Sequence, residues 1–188
     1  MALPRSRANS GGLSCVNFLN LPLSAAVPRQ ATLPIEAPRP NAIIVQHGKV
    51  LDFIDGQTQR KETPEEYVRQ EIAKSLVREY GYAKSDTAVE FTLRLGTRYP
   101  RADLVIFPDG TEQKQENAHL IVECKAPTVK ETDSKEGIGQ FQSSMAACPN
   151  ALYGTWTDGK KRCCFRRVVT DGKIAFEDVL DIPKHGCK

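Results

Sequence analysis

Three charged residues interrupt runs of residues that read as apolar strands. Asp103 lies within Arg101-Ala102-Asp103-Leu104-Val105-Ile106-Phe107, and Glu123 and Lys125 end the run Leu120-Ile121-Val122-Glu123-Cys124-Lys125. A buried carboxylate is unfavourable unless it is paired, hydrogen-bonded or bound to a metal. Strand side chains alternate, so Glu123 and Lys125 project to one face about 6.7 Å apart. Pairing beside the Asp103 strand would gather two acids and a lysine in one cleft. That set suits metal-assisted phosphodiester hydrolysis. Asp103 and Glu123 offer hard oxygen ligands to Mg²⁺, with Mn²⁺ able to substitute, and the ion lowers the pKa of an attacking water and neutralises growing charge. Lys125, a compact cation, can orient that water or stabilise the same charge. The same placement also suits plain ion pairs, Asp103 with Arg101 or Arg98 and Glu123 with Lys125.

The elements that must position these residues are legible around them. Thr63-Pro64-Glu65-Glu66 reads as a helix start, with Thr63 as cap, Pro64 at the first helical position and Glu66 closing a T-x-x-E box. Val68, Ile72, Leu76, Val77 and Tyr80 then recur at helical spacing until Gly81, which predicts an amphipathic helix of about five turns. On its wheel Glu65 and Arg69 lie near the apolar direction and Glu66 at its edge, so acids border the buried face. Strands are expected over 89–95, 102–107 and 119–125, a second helix over 138–147, and a further strand over 151–156. Asp158-Gly159 and Asp171-Gly172 mark turns, the latter between 162–169 and 174–179 as a terminal hairpin. The fold class is α/β, in the order helix, three strands, helix, strand, then small β elements.

Composition bounds the function. At 188 residues, 40% hydrophobic and 26% charged, the chain has ordinary globular make-up, which excludes global disorder, collagen and a coiled coil. No apolar run approaches the roughly 20 residues of a membrane span, so no membrane partner is expected. The formal charge of +3 permits an acidic partner without requiring one. Residues 1–40 hold Pro4, Pro22, Pro28, Pro34, Pro38 and Pro40 and read as an irregular tail, leaving 41–188 as the folded domain. Arg5 and Arg7 imitate a targeting peptide, but Asn17, Asn20, Pro22 and Ser24 interrupt it. The cysteines at 15, 124, 148, 163, 164 and 187 form no CxxC pair, so they read as packing thiols in a reducing, cytoplasmic setting. His47, His119 and His185 are scattered and take no assigned role, and Trp156 and Tyr153 read as core.

Basic residues Lys160, Lys161, Arg162, Arg166, Arg167 and Lys173 cluster around the terminal hairpin, with Lys130 and Lys135 after the Glu-Cys-Lys segment. They could neutralise DNA phosphates or form a solvated edge that discourages strand pairing. No helix-turn-helix or zinc finger is present to read a target sequence.

The Asp103 strand followed by Leu120-Ile121-Val122-Glu123-Cys124-Lys125-Ala126-Pro127 resembles the D…ExK signature of the PD-(D/E)xK nuclease superfamily. Thr63-Pro64-Glu65-Glu66-Tyr67-Val68-Arg69-Gln70, Glu79-Tyr80-Gly81-Tyr82 and Val-Glu-Cys-Lys-Ala-Pro resemble, more narrowly, the N-terminal nuclease domain of type I restriction enzyme R subunits, from about residue 50 to 182. The resemblance implies a restriction-endonuclease-like αβββαβ core, a mixed sheet flanked by helices, acting as a Mg²⁺-dependent DNA endonuclease on double-stranded DNA. Asp103 and Glu123 are then the metal ligands and Lys125 the catalytic lysine. Glu66 matches the helix acid best, while the helical wheel equally permits Glu65. Gln140 matches the glutamine on the helix after ExK, and Ser144 stands where relatives have tyrosine. Partners implied are methyltransferase and specificity subunits and a separate translocase, because the chain has no G-x-x-x-x-G-K-[ST] phosphate loop and is not expected to hydrolyse ATP. The alternative from another class is a non-cleaving DNA-binding or assembly module with a nuclease-like fold.

Overall fold

The computed structural model describes residues 44–46 and 48–187; the tail expected over 1–40 lies outside the described residues, as does His47. Helix α1 (Pro64–Arg78) begins where its cap requires: Thr63 is extended, and its hydroxyl accepts the Glu66 N–H at 3.1 Å. It ends before Gly81, whose φ of +80° turns the chain so that the Tyr82 N–H reaches the Leu76 carbonyl at 3.0 Å. The periodic face of α1 buries Ile72 and Leu76 at 5% and 0% exposure.

That face lies on a six-stranded mixed sheet of order β4 (Thr87–Thr92), β5 (Arg101–Ile106), β6 (Leu120–Cys124), β7 (Tyr153–Thr157), β8 (Arg162–Thr170) and β9 (Lys173–Val179). Neighbours are antiparallel except β6 and β7, which run parallel and are joined through helix α2 (Ile138–Ala146). Strand alternation splits the core. Leu104, Ile106, Leu120, Val122 and Cys124 face α1, while Val105, Phe107 and Ile121 join Phe141 and Met145 of α2 with Trp156 on the other face. The chain is thus α/β, with both sheet faces covered. Asp171 and Gly172, with φ of 51° and 73°, form the two-residue β8–β9 turn expected of Asp-Gly. No helix is long and apolar enough to cross a membrane.

The strand expected over 89–95 is regular only to Thr92; beyond it the Leu93 N–H reaches the Pro100 carbonyl at 2.8 Å and Leu95 bridges Arg98. A further sheet was not anticipated: β1 (Ile44–Gln46), β2 (Lys49–Leu51) and β3 (Gln59–Lys61) form an antiparallel meander. Three-residue strands as polar as Gln59-Arg60-Lys61 carry no readable period. The meander is tied down by long-range contacts: Val50 is fully buried, and the side-chain Oε1 of Gln70 on α1 accepts the Phe53 N–H at 2.9 Å.

Close approach of α2 to β7 depends on Gly154, where an added Cβ would meet Met145 Sδ at 2.1 Å and Phe141 Cζ at 2.7 Å. Gly154→Val is therefore expected to lower unfolding free energy by about 1–3 kcal/mol, since overpacking must push both side chains off their rotamers. Urea denaturation of the variant measures the loss; an unchanged midpoint would mean α2 re-seats without strain.

Candidate active site

The β5–β6 ladder runs Ile106↔Leu120, Val105↔Ile121, Leu104↔Val122 and stops. Asp103 and Glu123 are the next residues on each strand, so they stand where the sheet begins to part. The lost rung leaves the Cys124 N–H without a strand partner, and Asp103 Oδ2 accepts it at 2.7 Å. On its other side β6 stays locked to β7, and the Lys125 N–H continues the pairing to the Thr157 carbonyl at 2.8 Å. Lys125 Nζ lies 2.7 Å from Glu123 Oε1 and 3.8 Å from Glu65 Oε1 at the start of α1. The two acids and the lysine share one cleft of about 530 Å³, walled by α1, β3, β4 and the parted ends of β5 and β6.

Burial sets the electrostatics. Desolvation first, then the Glu123 charge, pushes the Asp103 carboxyl up to about 7. Burial also raises Glu123, against the opposing pull of Lys125. Burial alone would lower Lys125, but the Glu123 and Asp103 carboxylates outweigh it and hold the ammonium charged. Among the described residues no group of three or more His, Cys, Asp or Glu side chains forms a metal cage. The donor set is instead a pair of half-buried carboxylates that resist ionising together. Such a pair fits Mg²⁺, which takes one or two carboxylates and keeps several waters.

Glu65 and Glu66 divide the roles left open between them. Glu65 is the acid nearer Lys125, whereas Glu66, 8% exposed, is held by Arg69 through Nε at 3.1 Å and through Nη2, and by Gln70 at 2.6 Å. Both line the cleft. Gln140 is exposed on α2 and does not line it; its carbonyl receives the Ser144 hydroxyl at 3.4 Å. Of the simple ion pairs weighed from the sequence, Glu123 with Lys125 forms, but Arg101 turns to Glu90 at 3.0 Å rather than to Asp103.

The basic set separates. Lys130 and Lys160 are exposed, Lys161 pairs with Glu131 at 2.8 Å and Arg166 with Glu177 at 2.8 Å. Arg162 requires correction: it is 3% exposed, donates to the Tyr80 hydroxyl at 2.7 Å and meets Asp181 at 3.4 Å. Its parity matches Cys164, which faces α1, so the guanidinium is an internal clamp rather than a surface contact for DNA. Cys124 points into the α1 core, and burial drives its thiol well above the usual range, consistent with packing. Sequence reasoning gave no site role to Arg60, Arg69 or Glu90, all of which line the cleft. Arg69 carried one signal: a cation three residues after Glu66 on a half-buried helix face.

A family model described as the type I restriction enzyme R protein N terminus matches residues 64–183. No curated protein and no solved structure matches the chain.

Proposed function

The chain belongs to the type I restriction enzyme R protein N-terminal family, and from that premise we propose that it is a Mg²⁺-dependent DNA endonuclease domain with a PD-(D/E)xK site. The observation that carries the reading is the parting of β5 and β6 at Asp103 and Glu123, with Lys125 Nζ at 2.7 Å from Glu123. Asp103 and Glu123 are the residues that would hold the ion, with Mn²⁺ as a substitute. When bound, the ion supplies a more acidic water and a positive charge against the scissile phosphate. Lys125 holds the nucleophilic water by a hydrogen bond and faces the charge that grows in the transition state. Glu65 keeps the ammonium oriented from the helix side, and the Cys124 N–H fixes the Asp103 carboxylate. Membership of an R-subunit family supports double-stranded DNA as the proposed substrate, and methyltransferase, specificity and translocase subunits as the proposed partners.

The exposed position of Gln140, outside the cleft, favours a second reading, a DNA-binding module that does not cleave alone. Supercoiled DNA incubated with purified protein in Mg²⁺ or Mn²⁺, with EDTA and ATP controls, separates them. ATP-independent nicking that EDTA stops is the expected result. Retained DNA binding with no nicked product under either metal would replace the first reading with the second.

A further inference from the structure

Among the described residues only Glu90 and Asp171 take positive φ without being glycine, at 52° and 51°. The β8–β9 turn accounts for Asp171. Glu90 sits in the middle of β4, where a left-handed backbone is strained and such strain gathers at functional sites. It falls between the rungs Val89↔Leu104 and Phe91↔Ala102, opposite Asp103. Its carboxylate is shared by two guanidinium groups, with Oε1 3.1 Å from Arg60 Nη1 and Oε2 3.0 Å from Arg101 Nη1. Arg60 is also clamped from behind, its Nε donating to the buried Asp52 carboxylate. Deeper in the same cleft Arg69, 3% exposed, leaves Nη1 without a hydrogen-bond partner.

One guanidinium on each oxygen of a carboxylate is also how two arginines receive the non-bridging oxygens of a phosphodiester. We infer that Arg60 and Arg101 form a subsite for a DNA backbone phosphate beside Asp103, and that Glu90 fills it in the free protein as an internal anion that DNA displaces. The inference rests on reading the cleft as a DNA site. Glu90 is the partner suited to leave: its side chain is 39% exposed against 15% for Arg60, which Asp52 keeps in place. Arg60 comes from β3, outside the residues that the family model matches, so this subsite adds to the shared core.

The test is duplex-DNA binding in EDTA, followed by fluorescence anisotropy over a range of salt concentrations, for wild type, Glu90→Gln, Arg60→Ala and Arg101→Ala. Glu90→Gln is expected to tighten binding about three- to tenfold and to steepen the salt slope by about one, while each arginine variant weakens binding about tenfold and flattens the slope by a similar amount. A purely structural Glu90 would not steepen that slope. Glu90→Asn, which tolerates the left-handed backbone, is a second variant expected to move in the same direction. Equal or weaker binding by both Glu90 variants overturns the subsite, and so does undetectable DNA binding by wild type. Nicking by wild type with Mn²⁺, measured alongside, keeps the two readings apart: nicking with unchanged Glu90→Gln affinity sinks the subsite alone. Tightening without nicking keeps the subsite and sinks the nuclease.

Discussion

Lys125→Ala should lower metal-dependent nicking of supercoiled DNA by about a thousandfold, the loss typical when a preorganised charge beside the transition state is removed, while leaving the thermal melt close to that of wild type. The ammonium lies 2.7 Å from Glu123 and 3.8 Å from Glu65, so truncation leaves acids without their cation. Glu65, 44% exposed, can be rehydrated, while Glu123, 17% exposed and already raised by burial, can take up a proton instead. Asp103→Asn should lower nicking at least as far, but with a gain in stability at high pH. Burial and Glu123 raise Asp103 from 3.8 to about 7, so the folded state binds the proton more tightly than the unfolded one. The sign follows by linkage: the cost of this carboxylate is absent below about pH 4 and grows as pH rises towards and through 7. Asparagine removes that cost. In EDTA at pH 8 the Asp103→Asn protein should melt above wild type, and Mg²⁺ should then raise the melt of wild type but not of the variant. A lower melt for the variant at pH 8 would mean that the carboxylate's attraction to Lys125 and to the Cys124 N–H outweighs the cost of burying its charge.

The acid–acid–lysine set was legible because each charge interrupts an apolar strand, and burial makes such an interruption informative. Helix α1 was legible for a local reason: Thr63, Pro64 and Glu66 cap it within four residues. The β8–β9 hairpin was legible because Asp171-Gly172 suits its turn. What escaped depends on contacts distant in sequence. The meander of β1, β2 and β3 is made of three-residue strands and is fastened through Gln70, 17 residues from Phe53. Arg162 looked like surface beside Lys160 and Lys161; its partners Tyr80 and Asp181 are 82 and 19 residues away. The second row of the cleft, Arg60, Arg69 and Glu90, escaped for the same reason. Asp52 links Arg69 on α1 to Arg60 on β3, which in turn meets Glu90 on β4, and no periodicity encodes that chain of contacts.

Arg69→Met should destabilise the protein by about 3–5 kcal/mol, because it strips the counter-charge from two carboxylates that have little water to turn to. Arg69 holds Glu66 through two nitrogens and approaches Asp52 at 3.8 Å. Asp52 is 2% exposed and Glu66 8%. Each keeps another partner, Arg60 for Asp52 and Gln70 for Glu66, which places the expected loss at the lower end of that range. Adding Glu66→Gln to Arg69→Met should recover part of it, and the non-additivity of the cycle in urea melts measures the coupling. Purely additive losses would mean that the two side chains are neighbours without being partners. The consequence reaches the cleft, because Arg69 joins α1 to the meander that carries Arg60. With the joint weakened, Arg60 loses its fixed position opposite Glu90, and DNA affinity should fall even at temperatures where the rest of the sheet is intact. Glu66 holds Arg69, so the loss of Glu66 is expected to register in the melt before it registers in nicking.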